Sequence, residues 1–228
     1  MSTERVAGVL LVILPLAFNL CFFLLARSFD YPDILRRPTS EVLARFRAGG
    51  AGLVLLWWAF ALTAVLLAPV AVLLAAALVG ADRAVVAVAA TTGVLAAVVQ
   101  FLGLVRWPFL VPYLARVDED ADPARREAVD VLFQSFNRYL GVAVGEHLGY
   151  LFTGGWSVLS GVALIQATNT PWWLGVAGIV VGGLLMLCSL EFVGAFEPDG
   201  WKLAAALTPI AYVAWSLWLI AVGVALLL

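Results

Sequence analysis

Six uninterrupted apolar runs, each about as long as a membrane-crossing helix, dominate this sequence and leave little freedom in how it folds. Crossing roughly 30 Å of hydrocarbon takes about 20 predominantly apolar residues. Such runs lie at about 6–26, 51–79, 84–105, 139–165, 172–192 and 203–227. They are continuous and do not alternate in polarity, which excludes a membrane β-barrel. The expected fold is therefore all-α: one integral membrane domain over residues 1–228, a six-transmembrane-helix bundle. Composition agrees, with 64% hydrophobic and 12% charged residues. A soluble domain sits nearer half apolar and a quarter charged, so a soluble enzyme, a disordered chain and a nucleic-acid binder are excluded. The first run is not read as a cleavable signal, because Arg27, Ser28 and Phe29 make no small-residue cleavage site.

Positive charge sets the expected orientation, since basic loops are retained in the cytoplasm. Eleven of the 13 Lys and Arg residues fall in the loops after runs one, three and five, leaving only Arg5 and Arg83 on the other side. The expectation is a multi-pass protein of the inner membrane with both termini outside the cytoplasm. The two long cytoplasmic loops, 27–50 and 106–138, each carry an amphipathic helix signal. Asp122 before Pro123 reads as an N-cap with proline at the first helical position, followed by the stripe Val129, Leu132, Phe133, Phe136 and Leu140. Thr39 or Ser40 is placed to cap a shorter helix with Glu41 in its first turn and Val42, Leu43 and Phe46 as its apolar stripe. Their arginines suit anionic headgroups or a protein partner at these loops. Pro108 and Pro112 predict a kink or break where span three leaves the membrane, with Trp107 at headgroup level.

Polar groups inside spans must be paired or face a cavity, because lipid exposure costs several kcal/mol. Asn19, Gln100, Glu146, His147 and Glu191 all fall within roughly 12 Å of the cytoplasmic ends of their helices at about 1.5 Å per residue. Their common depth predicts a polar recess near the cytoplasm lined by spans one, three, four and five. Within span four, Tyr150 is i+4 to Glu146 and i+3 to His147, and Thr153 lies on the same face. Arg106 and Arg138 are the candidate charge partners of Glu146. Gly141, Gly145 and Gly149 form a small-residue ladder for close helix approach, with Gly178 and Gly182 of span five as the expected partner. No metal-ligand spacing and no cofactor motif is present, and one histidine would permit only a five-coordinate or dimer-shared haem. Cys21 and Cys188 lie in apolar runs, with no disulfide framework.

The segments Asn137-Arg138-Tyr139-Leu140-Gly141, Gly145-Glu146-His147-Leu148-Gly149-Tyr150-Leu151-Phe152-Thr153-Gly154-Gly155-Trp156 and Pro171-Trp172-Trp173-Leu174-Gly175 carry a resemblance. So does Trp215-Ser216-Leu217-Trp218-Leu219-Ile220 with Gly223. Mainly in its second half, the chain resembles bacterial multi-span integral membrane proteins catalogued only as a domain of unknown function. The resemblance implies a bacterial inner-membrane protein of about six helices and implies no activity. Three classes stay open. The favoured one is a small binding or regulatory protein whose recess takes an apolar or amphipathic ligand. The others are an inner-leaflet enzyme or cofactor protein using Glu146 and His147, and a small transporter. An apolar outer half and the lack of a repeat weigh against transport, and the lack of P-loop, GxSxG, HExxH or CxxC patterns weighs against catalysis.

Overall fold

The apolar runs become helices because lipid offers backbone groups no partners other than those within the segment. The computed structural model describes residues 2–228, and among these there is no strand. Helix α1 spans Thr3–Phe29, α2 Thr39–Ala77, α3 Arg83–Glu119, α4 Pro123–Phe136, α5 Gly149–Gln166, α6 Trp172–Cys188 and α7 Lys202–Leu227. A π-helical segment, Asn137–Leu148, joins α4 to α5, and short 3₁₀ turns occupy Asp33–Arg36 and Gly194–Phe196. Five helices are long and apolar enough to cross a membrane, α4, the π segment and α5 counting as one of them; α6 is a shorter apolar helix of 17 residues. Neighbours in the chain are neighbours in space: α1 packs on α2, α2 on α3, α3 on α5, α5 on α6, α6 on α7, and α7 back on α1. The six close into a ring.

Two cores fill the ring at different heights. One is built on Trp156, Trp215 and Trp218 with Leu11, Leu74 and Leu164. Its end of the molecule, which carries Arg5 and Arg83, is closed by hydrogen bonds between the α2–α3 and α5–α6 turns. The Asn169 amide donates to the Ala77 carbonyl at 2.9 Å and accepts from the Val79 N–H at 3.2 Å, and the Thr168 N–H donates to the Val79 carbonyl at 2.9 Å. These contacts satisfy groups that a helix end leaves open.

The second core lies at the arginine-rich end. Here α2 is two helices, because Gly50 has φ 53° and ψ −153° and turns the chain, a conformation that favours glycine. The arm of residues 39–49 buries Val42, Leu43 and Phe46 as expected, but Pro38 stands at its N-cap and the Thr39 hydroxyl instead bonds Asp130 and accepts from Gln134. Asp122 does cap α4, accepting the Arg125 N–H at 2.8 Å with Pro123 in the first turn. Of the expected α4 stripe, Val129 and Phe133 are buried, whereas Leu132 and Phe136 are exposed.

The break expected at Pro108 does not occur, and α3 continues for 37 residues through both prolines. A proline inside a helix removes one hydrogen bond, which packing on either side can offset. Trp107 supplies that packing. It is buried within the protein, 1% exposed, and presents no face to an interface. It stacks on Trp57 with centroids 4.4 Å apart and planes at 9°, and it meets Phe29 and Phe133 edge-on. Arg47 from the arm of 39–49 donates to the Ala115 carbonyl and pairs with Asp118 at 3.6 Å, fixing the helix beyond the prolines.

Trp107→Ala should therefore cost about 3–5 kcal/mol, read as a lowered unfolding midpoint in detergent. Phe109→Ala, two residues away but 69% exposed, should cost less than about 1 kcal/mol. Equal losses would remove Trp107 from the centre of this core.

Candidate functional site

The site forms where α3 meets the π segment. Gly103 and Gly145 bring two backbones together: a Cβ on Gly103 would sit 2.6 Å from the Gly145 Cα, and a Cβ on Gly149 would touch Gln100 at 3.0 Å. The ladder Gly141, Gly145, Gly149 thus serves α3, not α6 as expected. Contact with α6 is made about one and three turns later, by Gly154 on Gly182 and Gly161 on Gly175, while Gly178 accommodates Trp218. The sequence permits the swap because every small residue advertises a close approach without naming its partner.

The π segment is the least expected element. It holds Asn137 through Leu148, including Glu146 and His147. Runs of i→i+5 bonding are rare and recur at functional sites. Gly141, Ala143 and Gly145 lie within it, and glycine weakens the α-helical preference by about 1 kcal/mol each. Both ends are tethered by side chains. At its start, the Arg106 guanidinium donates to Asn137 Oδ1 at 2.9 Å and to the Gly103 carbonyl, in the space Gly141 leaves open. At its end, His147 Nδ1 lies 2.7 Å from the Ser189 carbonyl just past α6. A carbonyl only accepts, so Nδ1 carries the proton, and in the neutral tautomer this leaves Nε2 as the acceptor.

The expected site residues divide into those tied to one another and those left without a hydrogen-bond partner among the described residues. Gln100 donates to Thr153 Oγ1 at 2.9 Å, the Ser157 hydroxyl donates to the Thr153 carbonyl at 2.8 Å, and Trp215 Nε1 donates to Ser157 Oγ at 3.0 Å. This chain links α3, α5 and α7 and satisfies Gln100 and Thr153. Asn19 donates to the Pro15 carbonyl at 2.7 Å and to Ser216 Oγ at 2.9 Å, on the α1–α7 seam. Arg138 is ion-paired with Glu197, both exposed, and not with Glu146. Glu191 follows α6 in a turn, its carbonyl accepting the Trp201 N–H at 2.7 Å.

Glu146 and Tyr150 remain. Among the described residues the Glu146 carboxylate and the hydroxyls of Tyr31, Tyr150 and Tyr212 have no hydrogen-bond partner, yet none is sealed from solvent and all four residues keep partial exposure. They lie together: Glu146 acts electrostatically on Tyr31, Tyr150 and Tyr212, and Arg106 and Glu191 act on Glu146. Aromatic rings wall the same space. Phe18 stacks on Tyr212 at 5.7 Å, Tyr212 meets Tyr150 edge-on at 5.3 Å, Phe18 lies 5.2 Å from Phe60, and Tyr31 meets Trp57 edge-on at 5.1 Å. Trp57 Nε1 is the one sealed side-chain polar atom without a partner among the described residues. Tyr31 belongs to the loop after α1. Enclosure in protein pushes its phenol up to about 12, with the Glu146 carboxylate adding to the rise and Arg106 opposing it. It therefore stays a hydrogen-bond donor at any physiological pH.

A family model matches residues 6–223, described as a domain of unknown function, DUF4386. The chain belongs to the DUF4386 family. The match extends the resemblance, expected mainly in the second half, over nearly the whole chain. It includes α1 and α2, which supply Phe18, Trp57 and Phe60 to the recess. No curated protein and no solved structure matches this DUF4386 chain.

Tyr31 and Tyr212 were missed by sequence reasoning. Tyr212 lies nine residues past Leu203, a depth similar to that of Glu146, so the same depth rule applied to tyrosines would have found it. Tyr31 gave no such signal, because only the fold of the 30–38 loop carries it inward.

The Gly103–Gly145 contact is testable by size. Gly103→Val should destabilise the detergent-solubilised protein by about 1–3 kcal/mol. Gly183→Ala, where a Cβ meets nothing within 4 Å, should leave the unfolding midpoint within a degree or two of the parent. A silent Gly103→Val would mean that α3 and the π segment do not touch.

Proposed function

We propose that this DUF4386 chain is a small binding or regulatory protein of the inner membrane, which crosses it six times and holds an amphipathic molecule in a recess open to the cytoplasm. One observation carries the reading: three tyrosine hydroxyls lie within electrostatic reach of the Glu146 carboxylate, all four without a hydrogen-bond partner among the described residues, beside a cluster of aromatic rings. Ligand sites combine a largely apolar wall with a few convergent polar groups. Unpaired polar groups at membrane depth are expensive unless they serve a ligand or line a cavity.

Six spans follow if α6 also crosses. At about 1.5 Å per residue its 17 residues reach about 25 Å, and its place in the ring between α5 and α7 supports a crossing. The charge asymmetry supports both termini outside. On this reading the 39–49 arm and α4 are amphipathic helices at the cytoplasmic face. They offer Arg45, Arg125 and Arg126, all exposed, to anionic headgroups or to a protein partner.

A second reading has its own observation. Donation from Nδ1 to the Ser189 carbonyl fixes the His147 tautomer and turns Nε2 into a free acceptor, the arrangement that positions a general base. An inner-leaflet enzyme would use it beside Glu146.

Native mass spectrometry on protein released gently from its own membrane should find a stoichiometric small molecule. Glu146→Gln should lose it while keeping its unfolding midpoint. A clean apo mass for the parent protein contradicts the binding reading. For orientation, a reporter fused after Leu228 should be active outside the cytoplasm, and cytoplasmic activity there would overturn the span count.

A further inference from the structure

We propose that the recess takes a small amphipathic organic cation, an ammonium head with short apolar substituents, and that Glu146 is its counter-charge. The proposal rests on the binding reading above and names the ligand class. Charge is the first ground. Glu146 has no ion-pair partner within 4 Å among the described residues. Arg106, the nearest candidate, is spent elsewhere: it donates to the Gly103 carbonyl and Asn137 Oδ1 and lies 5.4 Å from the Trp107 ring centre. At the mouth, Arg36 sits 3.6 Å from Asp33 and also acts on Glu191. The Glu146 carboxylate is thus left without an ion-paired cation among the described residues.

The walls are the second ground. Aromatic faces attract cations, and quaternary ammonium groups are held by such cages. Phe60, Phe18, Tyr212 and Tyr150 pack in series ring against ring, and Tyr150 lies four residues along the chain from Glu146. An anion would be repelled by Glu146, and a neutral ligand would leave the carboxylate unpaired, which is costly in a desolvated site. A metal ion is a poorer fit, because no group of three His, Cys, Asp or Glu side chains able to hold one exists among the described residues. Size follows from the floor. Trp156, Trp215 and Trp218 are packed together below Tyr150 and Tyr212, so long substituents have no room along the ring axis.

The probes are hexyltrimethylammonium, hexanol and hexanoate, equal in chain length and different in head charge, measured by equilibrium dialysis against the full chain in an uncharged maltoside detergent. Hexyltrimethylammonium should bind once per chain and at least about tenfold more tightly than the other two. Glu146→Gln should weaken it by about thirtyfold or more, the consequence of removing one partner of an enclosed charge pair. Tyr212→Leu should weaken it about fivefold while Tyr212→Phe, which keeps the ring face, should not; this pair decides the matter if Glu146→Gln fails to fold. Equal retention of hexanol or hexanoate, untouched by Glu146→Gln, overturns the cation inference and leaves the binding reading in place. So does a natural ligand seen in the native mass spectrum while hexyltrimethylammonium is not retained. No retention of any probe together with a clean apo mass removes both.

Discussion

Where α3 meets the π segment, Gly103 and Gly145 put two helix backbones in contact, and no side chain larger than hydrogen can stand between them. Around that contact the neighbouring positions are forced into fixed relations. Arg106 reaches back across Gly141 to Asn137, and Gln100 reaches Thr153. In a membrane there is no hydrophobic drive between apolar helices, so van der Waals fit and interhelical hydrogen bonds carry the association. Glu146, one residue beyond Gly145, is aimed by this contact and not by any partner of its own.

The rest of the molecule divides the work. The end bearing Arg5 and Arg83 is closed by the Asn169 and Thr168 hydrogen bonds and by the packed tryptophans Trp156, Trp215 and Trp218. The arginine-rich end is held by a second core, in which Trp107 stacks on both Trp57 and Phe46 and Phe29 meets all three edge to face. Between the two cores lies a band holding Glu146, Tyr150 and Tyr212, whose side-chain polar groups have no hydrogen-bond partner among the described residues. Such a band lowers stability, and it persists where the surrounding structure is rigid enough to hold it.

How much of this was legible in the sequence depends on whether depth or direction was asked. Depth along a helix is a matter of counting residues, and it grouped Gln100 with Thr153, which the structure joins by a hydrogen bond. Direction around a helix is not. The i+3 and i+4 relations used for Glu146, His147 and Tyr150 assume α-helical winding, and the π segment turns each residue through a smaller angle. Gln100 and Thr153 were rightly grouped, but they satisfy each other. Arg138 was a reasonable partner for Glu146 by position and was taken by Glu197, which comes from a loop whose path the sequence does not reveal. Trp107 followed the interfacial rule for tryptophan until the second core covered it, and that core needs three separate segments that no local pattern links.

The central claim is that Glu146 and Tyr212 face a water-accessible recess at the arginine-rich end of the ring. The most direct measurement places single cysteines at Glu146→Cys and Tyr212→Cys in a chain with Cys21→Ala and Cys188→Ala, and reacts them with a membrane-impermeant thiol reagent in oriented vesicles. Both should label when the arginine-rich face is outward and not when it is inward. Val180→Cys, 66% exposed on the apolar helix α6, should label from neither side. Cysteines at 146 and 212 that stay as unreactive as the one at 180, or that react from the opposite face, would contradict the recess.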